Sequence, residues 1–506
     1  ESDGLGASGS GFPDDQVLTN LNSAAKKNSI SSSYSSNTLA SFLSRLEYKF
    51  NNRYLLTLNF RADGSSQFGP DKRWGYFPSG AVAWIITEEN FMKDYSNIVS
   101  YLKLRGSVGK TGSQNLGAYD WRTLMGSATY NGAAGIVPSS LGNDILQWEE
   151  QIQKEVGLDY GFWDDRIRGT LGYYQKKVDN LLYSDPVPTS SSFSSVYQNI
   201  GSLKNRGIEF DVRVDIIKNA PKDLTWNVDF NIARNRTTLE KLNSSDGYFG
   251  GGAYDYFKIE EGGETGRFYG YKDAGRLFMT NEELVGLKTI DPKTGTLKYY
   301  RDDYNYERQG DVYIMDLDGD GQITADGDRT VIGNANPDFF GGFGSTLYWK
   351  GLMLNAVFSY SVGGDRFWDE EKNSSGDMNV YNTSNRILDS WTVNPGVNAS
   401  YPRAMYYGWG SNSIITDRYI HDASYLRMTA LNLSYRLPKH LYKNSILNAV
   451  EFTFQATNLF TWTKYPGMDP QGNFSTTYSA FYNMGIDYST YPSARTYNFG
   501  IKLTLK

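Results

Sequence analysis

The chain has 506 residues, of which 39% are hydrophobic and 15% aromatic, with 52 glycines and 15 prolines. A formal charge of -6 and the lack of a basic stripe exclude a nucleic-acid-binding protein. Zero cysteines exclude disulfides and thiolate metal sites, and two histidines leave little material for histidine chemistry. No apolar run reaches the ~18 residues that a membrane helix needs.

The clearest elements in chain order are long segments with period-two alternation. Residues 207–216 read "GIEFDVRVDI", with Ile208, Phe210 and Val212 on one face of an extended chain and Glu209 and Asp211 on the other. Many segments exceed the mean strand length of about 5 to 6 residues. Thirteen strands are predicted: 38–50, 53–64, 77–88, 101–112, 147–163, 166–183, 204–217, 223–242, 337–350, 352–368, 423–437, 447–463 and 494–506.

The links between these segments alternate in length. Short links such as 51–52, 164–166, 218–223 and 350–351 separate strand pairs, and long links join the pairs, the longest being 243–336. Strict alternation is typical of outer-membrane barrels, which have short periplasmic turns and long extracellular loops. The predicted fold class is therefore all-β: a transmembrane antiparallel β-barrel with lipid outside and a watery lumen inside.

The strand count indicates that this wall is incomplete. The strands at 38–50 and 494–506 run in the same direction, so an odd number of further strands is needed to close an antiparallel barrel. We predict that residues 1–37 are the tail of an extracellular loop and that 38–506 form the C-terminal part of the barrel. Residues 243–336 are a long loop region within it.

That loop region contains the strongest local motif, "DLDGDGQITADGD" at 316–328. Carboxylates at positions 1, 3 and 5 and a glycine at position 6 are typical of a calcium loop, but position 12 is Gly327 rather than an acid. Either Asp326 or Asp328 would complete the shell, and the alternative is an Asp/Gly-rich turn without an ion. The predicted ligands of a structural Ca²⁺ ion are Asp316, Asp318, Asp320, Gln322, Asp326 and Asp328.

Loop aromatics are candidates for substrate contact. Four of them would stack on sugar rings or line a peptide path, namely Trp121, Tyr406, Tyr407 and Trp409. The alternative is that they belong to the aromatic girdle of an outer-membrane barrel.

A catalytic triad is not expected. His421, Asp422 and Ser424 lie close together in sequence, but adjacent residues of an extended chain point to opposite faces.

Several stretches resemble the SusC/RagA family of TonB-dependent outer-membrane transporters, and they occur in the family's order. They are "FRADGSSQFGPDKRWGYFPSGAVAWIITEENFMK" (60–93), "LKLRGSVGKTGSQNLGAYDW" (102–121), "FYGYKDAGRLF" (268–278), "DVYIMDLDGDGQITADGDRTVIGNANPDFFGGF" (311–343), "ASYLRMTALNLSYRLPK" (423–439) and "QATNLFTWTKYPGMDP" (455–470). One departure is the end "KLTLK", where such barrels usually finish on an aromatic residue.

The resemblance implies the C-terminal portion of a plugged barrel of about 22 strands, of which this chain contributes roughly 13 to 14. It implies an N-terminal plug that TonB pulls, a SusD-like surface lipoprotein acting as a lid, and import of oligosaccharides or peptides. It also implies a location in the outer membrane of a Gram-negative, Bacteroidetes-like bacterium, and no enzymatic step. The alternatives are a passive outer-membrane pore or adhesin, and a soluble calcium-dependent glycan-binding β-protein.

Overall fold

The computed structural model describes residues 2–12, 20–220, 223–242, 256–258, 260–277, 289–290, 297–298, 309–320, 323–375, 383–391, 399–404, 414–443, 446–472, 484–488 and 490–505.

One thirteen-stranded antiparallel sheet dominates the fold, and we call it the wall. Each strand pairs with the next along the chain, and the first and last lie at its two edges. The predicted strands are all present, in the predicted order. They are β1 (Leu39–Phe50), β2 (Tyr54–Ser65), β3 (Trp74–Ile85), β4 (Val99–Ser113), β5 (Glu149–Phe162), β6 (Ile167–Asp179), β7 (Ser202–Ala220), β8 (Leu224–Lys241), β9 (Phe339–Trp349), β10 (Leu352–Val362), β11 (Tyr425–Arg436), β12 (Leu447–Thr463) and β13 (Thr496–Leu505).

The two faces of the wall differ in chemistry. Cross-strand register places Phe210 of β7 beside Leu171 of β6 and Ile232 of β8, so apolar side chains continue from strand to strand on one face. Large apolar residues on this face stay exposed, for example Val82 at 60% and Val156 at 58%. A soluble sheet would cover such a face, so this one is suited to lipid. We call it the lipid face and the opposite, polar face the lumen face.

Aromatic side chains mark both ends of the lipid face. At one end Tyr54 of β2 lies opposite Trp84 of β3, and both donate to Glu89 Oε1, over 2.6 and 3.1 Å. At the other end Phe42 stacks on Trp74 with ring centroids 6.0 Å apart. This arrangement matches the paired aromatic girdles of outer-membrane barrels.

Tight turns close the inner ends of the strand pairs. Asn51 and Asn52 have φ of 49° and 56°, and Lys350 and Gly351 have φ of 47° and 85°. Positive φ at both central residues defines the type I′ turn that suits the twist of a hairpin. Asn and Gly adopt this conformation at low cost, which explains the short "NN" and "KG" links.

The prediction that short and long links alternate strictly is wrong at β3. The outer link 66–73 is shorter than the inner link 86–98, which contains two 3₁₀ helices. β3 itself begins at Trp74 rather than at residue 77 and ends at Ile85. β3 can contain Pro78 because its pairing with β4 begins only at Ser79. The N–H that proline lacks is therefore not needed for a hydrogen bond to β4.

The outer links carry smaller elements. Two-stranded ladders are Ser2–Ser10 with Lys26–Ser35, Met125–Tyr130 with Ala133–Pro138, Leu182–Pro186 with Ser195–Asn199, Arg267–Tyr271 with Arg329–Asn334, Asp273–Leu277 with Val312–Ile314, and Thr289–Ile290 with Leu297–Lys298. The helices are Ala325–Asp328 and Asp369–Ser375, with 3₁₀ helices at Leu21–Ser23, Pro70–Lys72, Thr189–Ser191, Asn385–Asp389 and Asp417–Tyr419. The inner links carry the 3₁₀ helices Ile86–Glu88, Asn90–Tyr95 and Lys439–Tyr442. Within the described ranges, no helix is both long and apolar enough to cross a membrane.

Apolar burial is concentrated in these outer links rather than between wall strands. Phe68, Phe268, Phe367 and Tyr419 are among the largest fully buried side chains, and all four lie outside the wall. The outer links therefore have hydrophobic cores of their own, which makes them a packed layer.

The predicted strand 352–368 is wrong beyond Val362. Gly363 and Gly364 have φ of 71° and 82°, a conformation that ends the strand. The chain resumes as Asp365–Trp368, which pairs with Ile420–Asp422 and runs parallel to Ile486–Asp487. We call this three-stranded element the outer sheet.

Candidate functional site

The acidic loop lies between two ladders of the outer layer. It follows strand Val312–Ile314, whose residues pack with Leu277 and Ile323 in a buried cluster, and it precedes strand Arg329–Asn334. Its two ends are therefore fixed by hydrophobic packing and by strand pairing.

Three carboxylates of this loop gather at one point. Oxygens of Asp316, Asp318 and Asp328 lie within 4.8 Å of one another. Asp328 is fully buried and accepts the backbone N–H groups of Leu317 and Thr324, each over 2.7 Å. This carboxylate thus joins the start of the loop to its end.

The charge of this cluster perturbs Asp318. Its pKa is raised: the N–H of Asp320 donates to Asp318 over 3.1 Å and opposes the shift, but desolvation and the nearby charges of Asp320 and Asp328 outweigh that bond. A cation at this position would relieve the same repulsion.

The other predicted ligands are distributed differently. Asp320 and Asp326 are exposed and do not join the three-carboxylate group, and Gln322 lies outside the described residues. The turn Ala325–Asp328, capped by Thr324 Oγ1 accepting from Gly327 N, brings Asp328 back to Asp316. Between the two acids that sequence left open, the geometry favours Asp328.

Trp121 packs into the outer layer. Its Nε1 donates to Ser66 O over 3.1 Å, and its ring lies against the cluster containing Phe68 and Leu146. The guanidinium of Arg122 lies 4.5 Å from the ring centroid. These contacts support the loop; substrate contact by Trp121 stays a prediction, and Tyr406, Tyr407 and Trp409 lie outside the described residues.

No Ser–His–Asp triad forms among the described residues. His421 Nε2 pairs with Glu371 Oε2 at 2.6 Å, whereas Ser424 Oγ donates to Asp422 Oδ1 at 2.5 Å. The hydroxyl and the imidazole therefore have separate carboxylate partners.

The outer sheet has one apolar face and one face that carries both charged and aromatic side chains. Phe367 and Ile486 pack with Phe268 in a buried core. Alternation places Arg366 and Trp368 on the opposite face, with His421 directly across from Arg366. The sequence pattern did not predict this second face, because the strand predicted at 352–368 runs through Gly363 and Gly364, although "GG" is itself a turn signal.

A buried arginine lies on the lumen face near the same end of the wall. Arg427 of β11 donates to Asp469 Oδ1 and Gln471 Oε1, both over 2.6 Å, and to Thr461 Oγ1 over 3.0 Å. Burial acts to raise the pKa of Asp469, but bonds from Arg427 and from the N–H groups of Gln471 and Ser493 outweigh it, so the pKa is lowered. This arginine has a full set of partners.

Elsewhere the lumen face carries charges that neutralise one another. Lys103 Nζ and Arg105 Nε of β4 lie 3.1 and 3.2 Å from Asp159 of β5, and Arg168 of β6 lies 3.1 Å from Asp215 of β7. A wet, charged inner surface suits a solvent-filled or protein-filled lumen better than a lipid contact.

Comparisons with known proteins agree with this geometry. The sequence profile "TonB dependent receptor-like, beta-barrel" matches residues 3–409. TonB-dependent receptor P3 of Formosa agariphila is 32% identical over 495 residues, covering 93% of this chain and 46% of that protein. TonB-dependent receptor SusC of Bacteroides thetaiotaomicron is 32% identical over 483 residues, covering 92% and 44%.

A solved structure shows the same fold. The structure of the RagAB peptide transporter superposes with a TM-score of 0.78 at 26% identity, covering 99% of this chain and 51% of the matched one. The chain thus spans about half the length of the proteins it matches. Profile, relatives and fold agree, and the chain belongs to the TonB-dependent receptor-like β-barrel family, a family of outer-membrane proteins.

Proposed function

We propose that the complete protein is a TonB-dependent importer of oligosaccharides or peptides, and that this chain forms the C-terminal part of its barrel wall. The observation that carries the proposal is the thirteen-stranded wall with one lipid-type face and one charged face, similar to the RagAB peptide transporter over 99% of the chain.

The remainder of the protein would supply the plug and the other strands. A barrel of this class has about 22 strands, so thirteen leave about nine to come from elsewhere, an odd number as closure requires. The plug would block the lumen, and TonB would pull on it once substrate has bound outside. Transport is then a conformational process in which no bond is made or broken.

A SusD-like lipoprotein is the proposed partner at the outer end. The support is similarity to a SusC protein and to a RagAB transporter. The relatives come from Formosa and Bacteroides, which supports the outer membrane of a Bacteroidetes-like Gram-negative bacterium as the location. The packed outer layer would present the docking surface, and Trp121, Tyr406, Tyr407 and Trp409 remain the proposed aromatic contacts for substrate.

The acidic loop is proposed as a structural calcium site. Asp316, Asp318 and Asp328 offer hard carboxylate oxygens that converge, which suits Ca²⁺. When bound, the ion would offset the desolvation and the carboxylate repulsion that raise the pKa of Asp318, and it would stiffen a long outer link. Ca²⁺ takes 6 to 8 oxygen ligands, so backbone carbonyls, other side chains or water would complete the shell.

Energy coupling is the decisive test of the importer. Uptake of labelled oligosaccharide and peptide mixtures should be measured in cells that carry the complete protein, with and without TonB. The proposal expects uptake that requires both TonB and this protein. A passive pore would instead give uptake that persists without TonB, together with open conductance of the purified protein in planar bilayers.

A further inference from the structure

Arg366 differs from three other partly buried arginines of the outer layer. Arg386, Arg403 and Arg418 each hold a buried carboxylate, from Glu371, Asp311 and Asp273, at 3.0, 3.0 and 2.8 Å. Among the residues that the structure describes, no carboxylate lies at ion-pair distance from Arg366.

The guanidinium of Arg366 is incompletely bonded. Its Nη1 donates to Ala335 O over 3.4 Å and to Asp365 O over 3.2 Å, both long bonds. Nε is buried without a partner. Nη2 has no hydrogen-bond partner in the described part of the chain, and it keeps some contact with solvent.

This environment is costly for a cation. Burial lowers the pKa of the Arg366 guanidinium, although an arginine stays protonated at neutral pH. A partly buried charge without a counter-charge at ion-pair distance is unfavourable, so proteins pair such groups or remove them. An external anion at Nη2 would offset this cost.

Nearby acids already have donors. Asp487 Oδ2 accepts the hydroxyl of Tyr465 over 2.8 Å, and its Oδ1 accepts Thr490 N over 3.2 Å. Asp365 accepts Asn334 N over 2.8 Å. The charges of these acids act on Arg366 only from beyond ion-pair distance, so its guanidinium can still pair with a carboxylate of a bound ligand.

The neighbours of Arg366 place it at the outer end of the lumen. Arg366 lies within electrostatic reach of Tyr425 and Tyr465. Tyr425 opposes Ser361 in the register and so lies on the lumen face, at the outer end of β11. Trp368, two residues along the same strand face, has a buried Nε1 without an acceptor. The guanidinium nitrogen left for an incoming carboxylate is Nη2, which would donate a charge-assisted hydrogen bond to it.

We propose that Arg366 binds a carboxylate of the imported substrate at the outer end of the lumen, so that the transporter prefers acidic over neutral ligands. The inference rests on the proposed import function and deepens it. A uronic acid of an oligosaccharide and the terminal or side-chain carboxylate of a peptide supply the same chemistry.

The test uses the complete transporter, purified in detergent with whatever partner accompanies it. Binding is measured for two matched pairs: tetragalacturonic acid against its methyl ester, and an octapeptide with a free C-terminus against its C-terminal amide. The pair that shows an acid preference identifies the source of the carboxylate. A charge-assisted bond predicts a preference of about ten- to a hundredfold.

Variants assign that preference to the residue. Arg366→Gln should reduce the acid preference to near one while leaving affinity for the neutral ligand unchanged, and Arg366→Lys should keep part of it. Arg168→Gln, on the lumen face but paired with Asp215, is the matched control and should keep the wild-type ratio.

Three results would overturn the inference. They are binding without any acid preference in the wild type, an Arg366→Gln protein that keeps the preference, and equal loss of acidic and neutral ligands. If Arg366→Gln does not assemble, Arg366→Met takes its place, and an acid preference that persists in Arg366→Met overturns the inference. Failure of the import proposal looks different, since no glycan or peptide would then bind at all.

Discussion

Replacing Leu58 with arginine tests whether the apolar face of the wall contacts lipid. Leu58 of β2 is 44% exposed and lies between Leu46 of β1 and Gly80 of β3. Its neighbour Thr57 points to the lumen face, opposite Glu47 and Ala81. The two positions are adjacent in sequence but differ in the solvent that they meet, so Thr57→Arg is the matched control.

The expected magnitude follows from the depth of Leu58. The membrane-spanning part of β2 runs from Tyr54, in the inner aromatic girdle, to Gly64, which pairs with Trp74 of the outer girdle. At about 3.3 Å per residue and a tilt of about 45°, that span is about 23 Å along the membrane normal. Leu58 lies about 9 Å from the inner girdle, close to the midplane, where an arginine costs about 2 to 4 kcal/mol.

The assay is equilibrium unfolding of the complete transporter in phospholipid vesicles, followed by tryptophan fluorescence. Leu58→Arg should lower the free energy of unfolding by about 2 to 4 kcal/mol, which is roughly a 30- to 1000-fold change in the folding equilibrium. Thr57→Arg should cost less than about 1 kcal/mol because water and Glu47 are available. Equal costs at the two positions would refute the assignment of the faces.

Three further predictions concern the outer layer. Calcium at one hundred times its Kd should stabilise the wild-type protein by about 2.7 kcal/mol and raise its melting temperature. Asp328→Asn should abolish this rise, whereas Asp326→Asn should retain it. Equal behaviour of the two variants would contradict the proposed ligand set. The folded-state pKa of Asp469 is depressed, so its pair with Arg427 should stabilise the protein at neutral pH. That stability should be lost as the pH falls below about 4, through the depressed pKa. Asp469→Asn should remove this acid-sensitive component from thermal melts. Trp121→Phe keeps an aromatic ring but loses the bond to Ser66 O, so it should lower the free energy of unfolding by about 1 kcal/mol in thermal melts; unchanged stability would contradict the supporting role of that bond.

Period-two alternation predicted the wall well because a lipid face and a wet face impose opposite demands on successive residues. In β7 every second residue from Ile208 is apolar, and the structure places Ile208 and Phe210 on one face of the wall, as predicted. The errors occur where a local backbone feature overrides the pattern. Gly363 and Gly364 end β10 early, and the absence of pairing on one side allows Pro78 inside β3.

The candidate sites were predictable only in part. Sequence spacing located the acidic loop, but the choice between Asp326 and Asp328 depended on the short turn before the following strand. Arg366 has no local signature, because its lack of a counter-charge arises from three outer-link segments that meet in space. Long-range packing of this kind leaves no trace in the periodicity.

The most direct test of the account is intact and peptide mass spectrometry on the native complex, extracted from outer membranes in detergent. The account predicts peptides from a plug-bearing segment upstream of Glu1 in the same polypeptide, together with a co-purifying surface lipoprotein. A lone species of 56.9 kDa that stays in solution without detergent would contradict the membrane wall and the importer with it.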